Sequence, residues 1–136
     1  MKYLKRATFS IWFLCLAAGI HAQENALTES IERGNLVYAS NCVACHMANG
    51  EGLKGVFPPL VETKILSDLP MLVKALVKGV NGPTTVRGVN YDGLMSGFPL
   101  SDEQTADLIN DIRNSWGNSA PPVKPDDIQA VLQKLE

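Results

Sequence analysis

The sequence predicts an all-α fold in a single domain. Three observations predict it: apolar residues recur at helical spacing through 69–80, through 105–116 and again through 128–135. A fourth helix is expected over 31–40, where Gly34 and Tyr38 stand one turn apart on one face and Gly34 lets another helix, expected to be the C-terminal one, approach closely. The chain has 136 residues, 46% hydrophobic and 19% charged, which is too short for two full cores and too apolar for disorder. It contains no internal repeat and no low-complexity segment.

The N-terminus carries Lys2, Lys5 and Arg6 ahead of an uncharged apolar run over 7–20. As a helix that run would span roughly 21 Å, short of the roughly 30 Å hydrocarbon core of a bilayer. With the small residue Ala22 behind it, the segment 1–22 reads as a signal peptide cleaved near Ala22, so export to the periplasm is expected. Ile20 departs from the small residue preferred three positions before a cut, and Cys15, with no small residue before it, is not a lipid-attachment site. The remaining chain holds nine Lys and Arg against fourteen Asp and Glu, a net charge of −5. That balance excludes an ordinary nucleic-acid binder, which gathers a basic excess on one face.

After that segment three reactive side chains remain close together, in Cys42-Val43-Ala44-Cys45-His46. This is the C-x-x-C-H pattern of c-type haem attachment. Two thiols three positions apart on a helical turn can each add to one vinyl group on a haem edge. The adjacent imidazole is then carried over the porphyrin face, within reach of the iron. A disulfide or a thioredoxin-type pair is the bland rival, but no βαβ setting surrounds these residues. A zinc site would need further ligands, and no second Cys-His cluster exists. The expected cofactor is one covalent haem c with its iron on His46.

No other histidine lies beyond residue 22, so a second axial ligand points to methionine. Met47 adjoins His46 and cannot reach round the ring. Met71 points away from the stripe Leu69, Leu72, Val73, Leu76 and Val80, beside Lys74 and Lys78. Met95 lies in a Gly-rich stretch, Gly93-Leu94-Met95-Ser96-Gly97-Phe98-Pro99, that could lie flat over a haem face. A core filler is the alternative for any methionine.

The remaining elements follow in order. Phe57-Pro58-Pro59-Leu60 forces extended backbone. The segment 79–92 is rich in glycine and β-branched residues, and 85–91 reads as a small hairpin leading to a methionine loop. Ser101 is an N-cap with Gln104 completing a capping box, Asp102 and Glu103 sit in the first turn, and Gly117 is placed to end that helix. Thr105, Ala106, Ile109, Ile112 and Trp116 share its apolar face. Residues 120–125 form a Pro-rich linker, and 126–136 an amphipathic helix expected to fold back on the domain.

Arg33-Gly34 through Tyr38, the Cys42–His46 motif, Gly50-Glu51-Gly52, Phe57-Pro58-Pro59-Leu60, Met95 and Arg113-Asn114-Ser115-Trp116-Gly117-Asn118 occur in an order that resembles the class I c-type cytochromes, small bacterial mono-haem proteins. The resemblance covers 31–118. It implies the class I cytochrome c fold, with crossing N- and C-terminal helices around one covalently bound haem, here with a short extra C-terminal helix. It places the haem domain at 23–118, and the linker and terminal helix at 119–136. It also implies that a proline carbonyl accepts the proton on the other nitrogen of the axial imidazole; that role falls on Pro58, with Pro59 as the alternative register. Many relatives have proline directly after the ligand methionine, where this chain has Ser96. Arg87 and Tyr91 are candidates for the haem propionates, a solvated Arg87 being the alternative.

The function expected is that of a one-electron carrier, either a shuttle or a haem subunit of a dehydrogenase or nitrite reductase, and not an enzyme, because a haem with both axial positions filled by His46 and Met95 leaves substrate no site on iron. Expected partners are redox proteins, namely a dehydrogenase, a nitrite reductase or a terminal oxidase, with membrane contact only through such complexes. The rival class is an open-site haem, a peroxidase or small-gas binder or sensor, which would require that Met95 not ligate iron.

Overall fold

A computed structural model describes residues 23–135; the expected signal peptide 1–22 lies outside the described residues. Helix α1 occupies 23–41 and is followed by the short helix α2, Val43–His46. On α1 the buried positions Ser30, Gly34 and Tyr38 recur every four residues, a narrow stripe along one side. That stripe crosses α4, Asp102–Asn114. A Cβ built on Gly34 would fall on the Asp107 carbonyl and 2.8 Å from Asp111 Cβ, so glycine sets how closely the two backbones approach.

Helix α4 begins as the sequence predicts. Gln104 N–H donates to Ser101 Oγ at 3.1 Å, and Ser101 N–H donates to Gln104 Oε1 at 3.0 Å. Its burial is wider than an amphipathic stripe, because every residue from Thr105 to Ile112 is buried. Asp107, Asn110 and Asp111, which belong to the polar face on helical periodicity, are covered by neighbouring elements. Arg33 Nε and Nη2 clamp the Asp107 carboxylate at 2.7 and 2.8 Å, and Ser30 Oγ donates to it at 2.6 Å. Such charge-assisted, two-pronged bonding offsets the desolvation of a buried carboxylate.

Helix α3, Leu69–Lys78, is capped by Asp68, which accepts the Met71 N–H at 2.9 Å. It buries Leu72, Val73, Ala75 and Leu76 and stops two residues earlier than its apolar spacing suggests, at Gly79. Met71 is 52% exposed, as its position opposite the stripe implies. A turn of 3-10 helix, Lys64–Ser67, precedes α3.

The hairpin is the main departure from a wholly helical reading. Strands β1, Gly79–Val86, and β2, Val89–Ser96, pair antiparallel along their full length. The Arg87-Gly88 turn has positive φ at both residues, 51° and 76°, matching the twist of a two-residue hairpin. The sequence reading confined pairing to 85–91 because Gly79, Gly82 and Gly93 carry no side chain to mark an alternating pattern. Met95 accordingly stands on a strand, opposite Val80, and not in a free loop.

The Pro-rich segment and α5, Pro125–Leu132, fold back onto α4 and α3. Ile128 is fully buried and Val123 nearly so. Asn110 secures this segment by imitating a backbone: its Oδ1 accepts the Val123 N–H at 2.8 Å and its Nδ2 donates to the Val123 carbonyl at 2.9 Å.

Gly34→Ala is expected to lower stability by about 1–3 kcal/mol through overpacking at the crossing. Urea unfolding checks it; an unchanged midpoint would mean that α1 and α4 are not pressed together there.

Candidate haem site

Helix α1 delivers the motif. The Cys42 N–H donates to Tyr38 O at 2.8 Å, and the His46 N–H to Cys42 O at 2.8 Å, so 42–46 make one helical turn that continues the path of α1. Cys42 and Cys45 are both free thiols. Cys42 is buried among the core residues, and burial, with the nearby Asp111 and Cys45 charges adding to it, pushes its thiol up to about 11. It is therefore a protonated thiol at neutral pH, unlike the acidic nucleophile of a disulfide oxidoreductase.

His46 is buried, and its Nδ1 lies 2.9 Å from Pro58 O. A carbonyl only accepts, so Nδ1 carries the proton and Nε2 keeps its lone pair. Burial lowers the imidazole's basicity while the Pro58 bond opposes that to a smaller degree, which favours the neutral ring that metals bind. The carbonyl concerned belongs to Pro58, not to Pro59.

The loop after His46 places that carbonyl. Gly52 N–H donates to His46 O at 3.0 Å, Leu60 N–H to Gly50 O at 2.7 Å, and Phe57 N–H to Leu53 O at 2.8 Å. Gly52 has φ +65, and a Cβ there would sit 2.7 Å from Pro58 O, so no other residue fits without moving the acceptor of the imidazole proton. Asn118, beyond α4, ties the end of the loop down. Its Oδ1 accepts the Glu62 N–H at 3.2 Å and its Nδ2 donates to Ile112 O at 2.9 Å and Leu60 O at 3.3 Å.

The structure thus gathers Cys42, Cys45, His46 and Pro58 into one constellation. Met95 packs, half-buried, against the same hydrophobic core to which Cys42, Leu72 and Leu76 belong, while Ser96, on the alternate face of β2, pairs with Gly79. Tyr91 is buried, and Arg87 sits 3.4 Å from Glu62 in an exposed ion pair. Two free thiols and a neutral imidazole with one nitrogen engaged and one open form a donor set that fits a c-type haem.

Sequence reasoning missed the Tyr38 hydroxyl, which donates to Met47 O at 2.7 Å. Spacing alone marks Tyr38 as a core residue, and the hydroxyl gives no sign of its partner. It missed also the buried carboxylate of Asp111, whose Oδ1 accepts from Ser115 Oγ at 2.9 Å and whose Oδ2 has no partner among the described residues. A polar residue at a helix position next to Gly34's crossing point was the available signal.

This fold and donor set define a haem protein whose prosthetic group is tied to the chain. Comparison with known proteins agrees, since the cytochrome c family profile matches residues 31–116. The chain is 38% identical over 92 residues to cytochrome c-552 of Thermus thermophilus, covering 63% of this chain and 70% of that one. It is 37% identical over 118 residues to the cytochrome c subunit of the quinone alcohol dehydrogenase of Gluconobacter oxydans, covering 80% of this chain and 24% of that subunit. The fructose dehydrogenase cytochrome subunit of Gluconobacter japonicus is 28% identical over 124 residues, again with 24% of its length covered. The chain belongs to the cytochrome c family. It has the class I fold, mostly helical with a small two-stranded sheet, carries covalent haem c and serves electron transfer. It spans only about a quarter of the length of the dehydrogenase subunits it matches.

Gly52→Ala is expected to displace the Pro58 carbonyl from His46 and to cost about 1–3 kcal/mol from the forced positive φ alone. Chemical unfolding together with the NMR signal of the His46 Nδ1 proton reads both effects.

Proposed function

We propose that this chain is an exported one-electron carrier with His46 and Met95 as the axial ligands of its haem iron. It accepts electrons from a periplasmic or membrane-bound dehydrogenase and passes them on. The observation that carries the reading is the imidazole of His46, whose Nδ1 proton is engaged by the Pro58 carbonyl so that Nε2 is free, on the same turn as two free thiols. Haem c, when bound, supplies a ferric–ferrous couple at constant ligation.

The residues divide the work by chemistry. Cys42 and Cys45 would hold the group through thioether sulfurs, and His46 Nε2 would bind its iron. Met95 Sδ would supply a softer ligand, which would raise the reduction potential. Pro58 O fixes the plane of the imidazole and keeps its proton on Nδ1. With His46 and Met95 both binding the iron, no reacting molecule would reach it, and the chain would transfer electrons without catalysing a net reaction.

Export is supported by the basic start, the short apolar run and Ala22 in 1–22. A dehydrogenase donor is supported by the quinone alcohol dehydrogenase and fructose dehydrogenase cytochrome subunits among the relatives. A nitrite reductase or a terminal oxidase is proposed as a further redox partner. Leu53 and Val56 are exposed apolar residues on the loop that follows His46. They suit docking by apolar contact, with Lys54 between them adding modest steering.

The test is an optical spectrum of the purified haem-loaded protein, oxidised and reduced, with carbon monoxide added to the reduced form. The expected result is a low-spin c-type spectrum with a weak far-red iron–sulfur band and no carbon monoxide response. Met95→Ala is expected to lose that band, bind carbon monoxide and lower the reduction potential. A high-spin, carbon monoxide-binding wild-type protein would overturn the carrier reading in favour of an open-site haem.

A further inference from the structure

We propose that Tyr38 is a positioning residue for the axial imidazole, acting through its hydroxyl on the backbone of Met47 and not only through its ring in the core. The proposal rests on the reading of His46 as the iron ligand.

Met47 follows His46 directly and has φ 63° and ψ 167°, a region that is essentially reserved for glycine and costs a side-chain-bearing residue about 1–3 kcal/mol. Such a conformation persists only where its surroundings hold it. Two donors meet the Met47 carbonyl: the Tyr38 hydroxyl at 2.7 Å and the Gly50 N–H at 3.2 Å. The second comes from within the same loop, so Tyr38 is the anchor supplied by α1.

The strained turn sets the direction in which the chain leaves the imidazole. From it follow the Gly52 bond to His46 O, the Leu60 bond to Gly50 O, and the return of Pro58 O to within 2.9 Å of His46 Nδ1. Tyr38 is 1% exposed, and its ring meets Trp116 at 5.0 Å between centroids, tilted by 57°. The Trp116 ring in turn lies under Gly50, so close that a Cβ there would strike it at 2.6 Å. One aromatic pair therefore supports the loop from below while the hydroxyl holds its first peptide. Phenylalanine would supply the packing equally well; the hydroxyl accounts for the difference between filling the core and aiming the ring.

Tyr38→Phe, made in the haem-loaded protein, isolates the hydroxyl. Without it Met47 relaxes, the Pro58 bond to Nδ1 lengthens, and the imidazole donates less charge to ferric iron. The expected result is a reduction potential raised by the equivalent of about a threefold increase in the ferrous-to-ferric ratio, and His46 Nδ1–H exchange faster by about tenfold, within what one hydrogen bond supplies. Ile128→Ala, which empties the buried core position of α5, is the control and is expected to lower stability while leaving both readings unmoved. Tyr38→Phe behaving like Ile128→Ala would overturn the proposal and leave Tyr38 a packing residue. The wild-type protein tests the underlying reading separately: a low-spin haem with a protected His46 Nδ1–H supports it, and a high-spin haem removes it whatever the variant does.

Discussion

The approach of α1 to α4 at Gly34 is the constraint on which the rest of the molecule depends. With no side chain at that position, the Asp107 carbonyl lies where a Cβ would be, and the two helices interlock as rigid bodies. Arg33 and Ser30 fasten the same point by bonding the Asp107 carboxylate. One turn further along α1, Tyr38 meets Trp116, and one turn beyond that the chain enters Cys42. A displacement at the crossing would therefore be carried directly to the thiols and to His46. The attachment turn is placed by the helix pair, and the haem-facing chemistry inherits the rigidity of a helix crossing.

Polar burial, not apolar burial alone, gives α4 its place. A helix with Thr105 through Ile112 all buried must satisfy its carboxylates and amides from neighbouring elements. Asp107 turns to α1, Asn110 to the Val123 backbone, and Asn114 Oδ1 to the Ala120 N–H at 3.0 Å. These bonds have strict geometry, so they choose one docking of α1 and one path for residues 118–123 where apolar contact would tolerate several. The result is that the C-terminal helix α5 is part of the core, with Ile128 fully buried.

What could be read in advance follows the range of the interactions. The C-x-x-C-H motif, the Ser101–Gln104 capping box and the proline pair at 58–59 are local, and each is legible because the partners lie within a few residues. The close approach at Gly34 was legible too, since a glycine beside helical spacing has few other uses. The bonds that complete α4 join residues as much as 80 positions apart, and no spacing rule reaches so far. Met95 illustrates the intermediate case: the residue type marked it, but its place on β2 depends on a glycine-rich ladder without an alternating signature. The Tyr38 hydroxyl was illegible for a different reason. Its acceptor is a main-chain carbonyl, and backbone groups leave no trace in the sequence.

An electron carrier gains from a site that moves little when the charge on iron changes, because reorganisation adds directly to the barrier for transfer. The loop from Met47 to Leu60 meets that need largely through backbone carbonyls. Each of its bonds, from Met47 O through Gly50 O to Pro58 O, engages a carbonyl whose donor is fixed by covalent geometry or by a buried ring. Side-chain rotamers, which relax easily, hold little of it. The glycines at 50 and 52 let backbone approach ring and backbone at distances no side chain would permit. The strain at Met47 follows from the same compactness: turning the chain sharply enough to bring Pro58 back over His46 requires a conformation that a side chain disfavours, and the surrounding bonds outweigh its cost. The precision of the imidazole is thus obtained mainly from main-chain constraints, which the Tyr38 hydroxyl joins at the start of the loop and the Asn118 amide at its end.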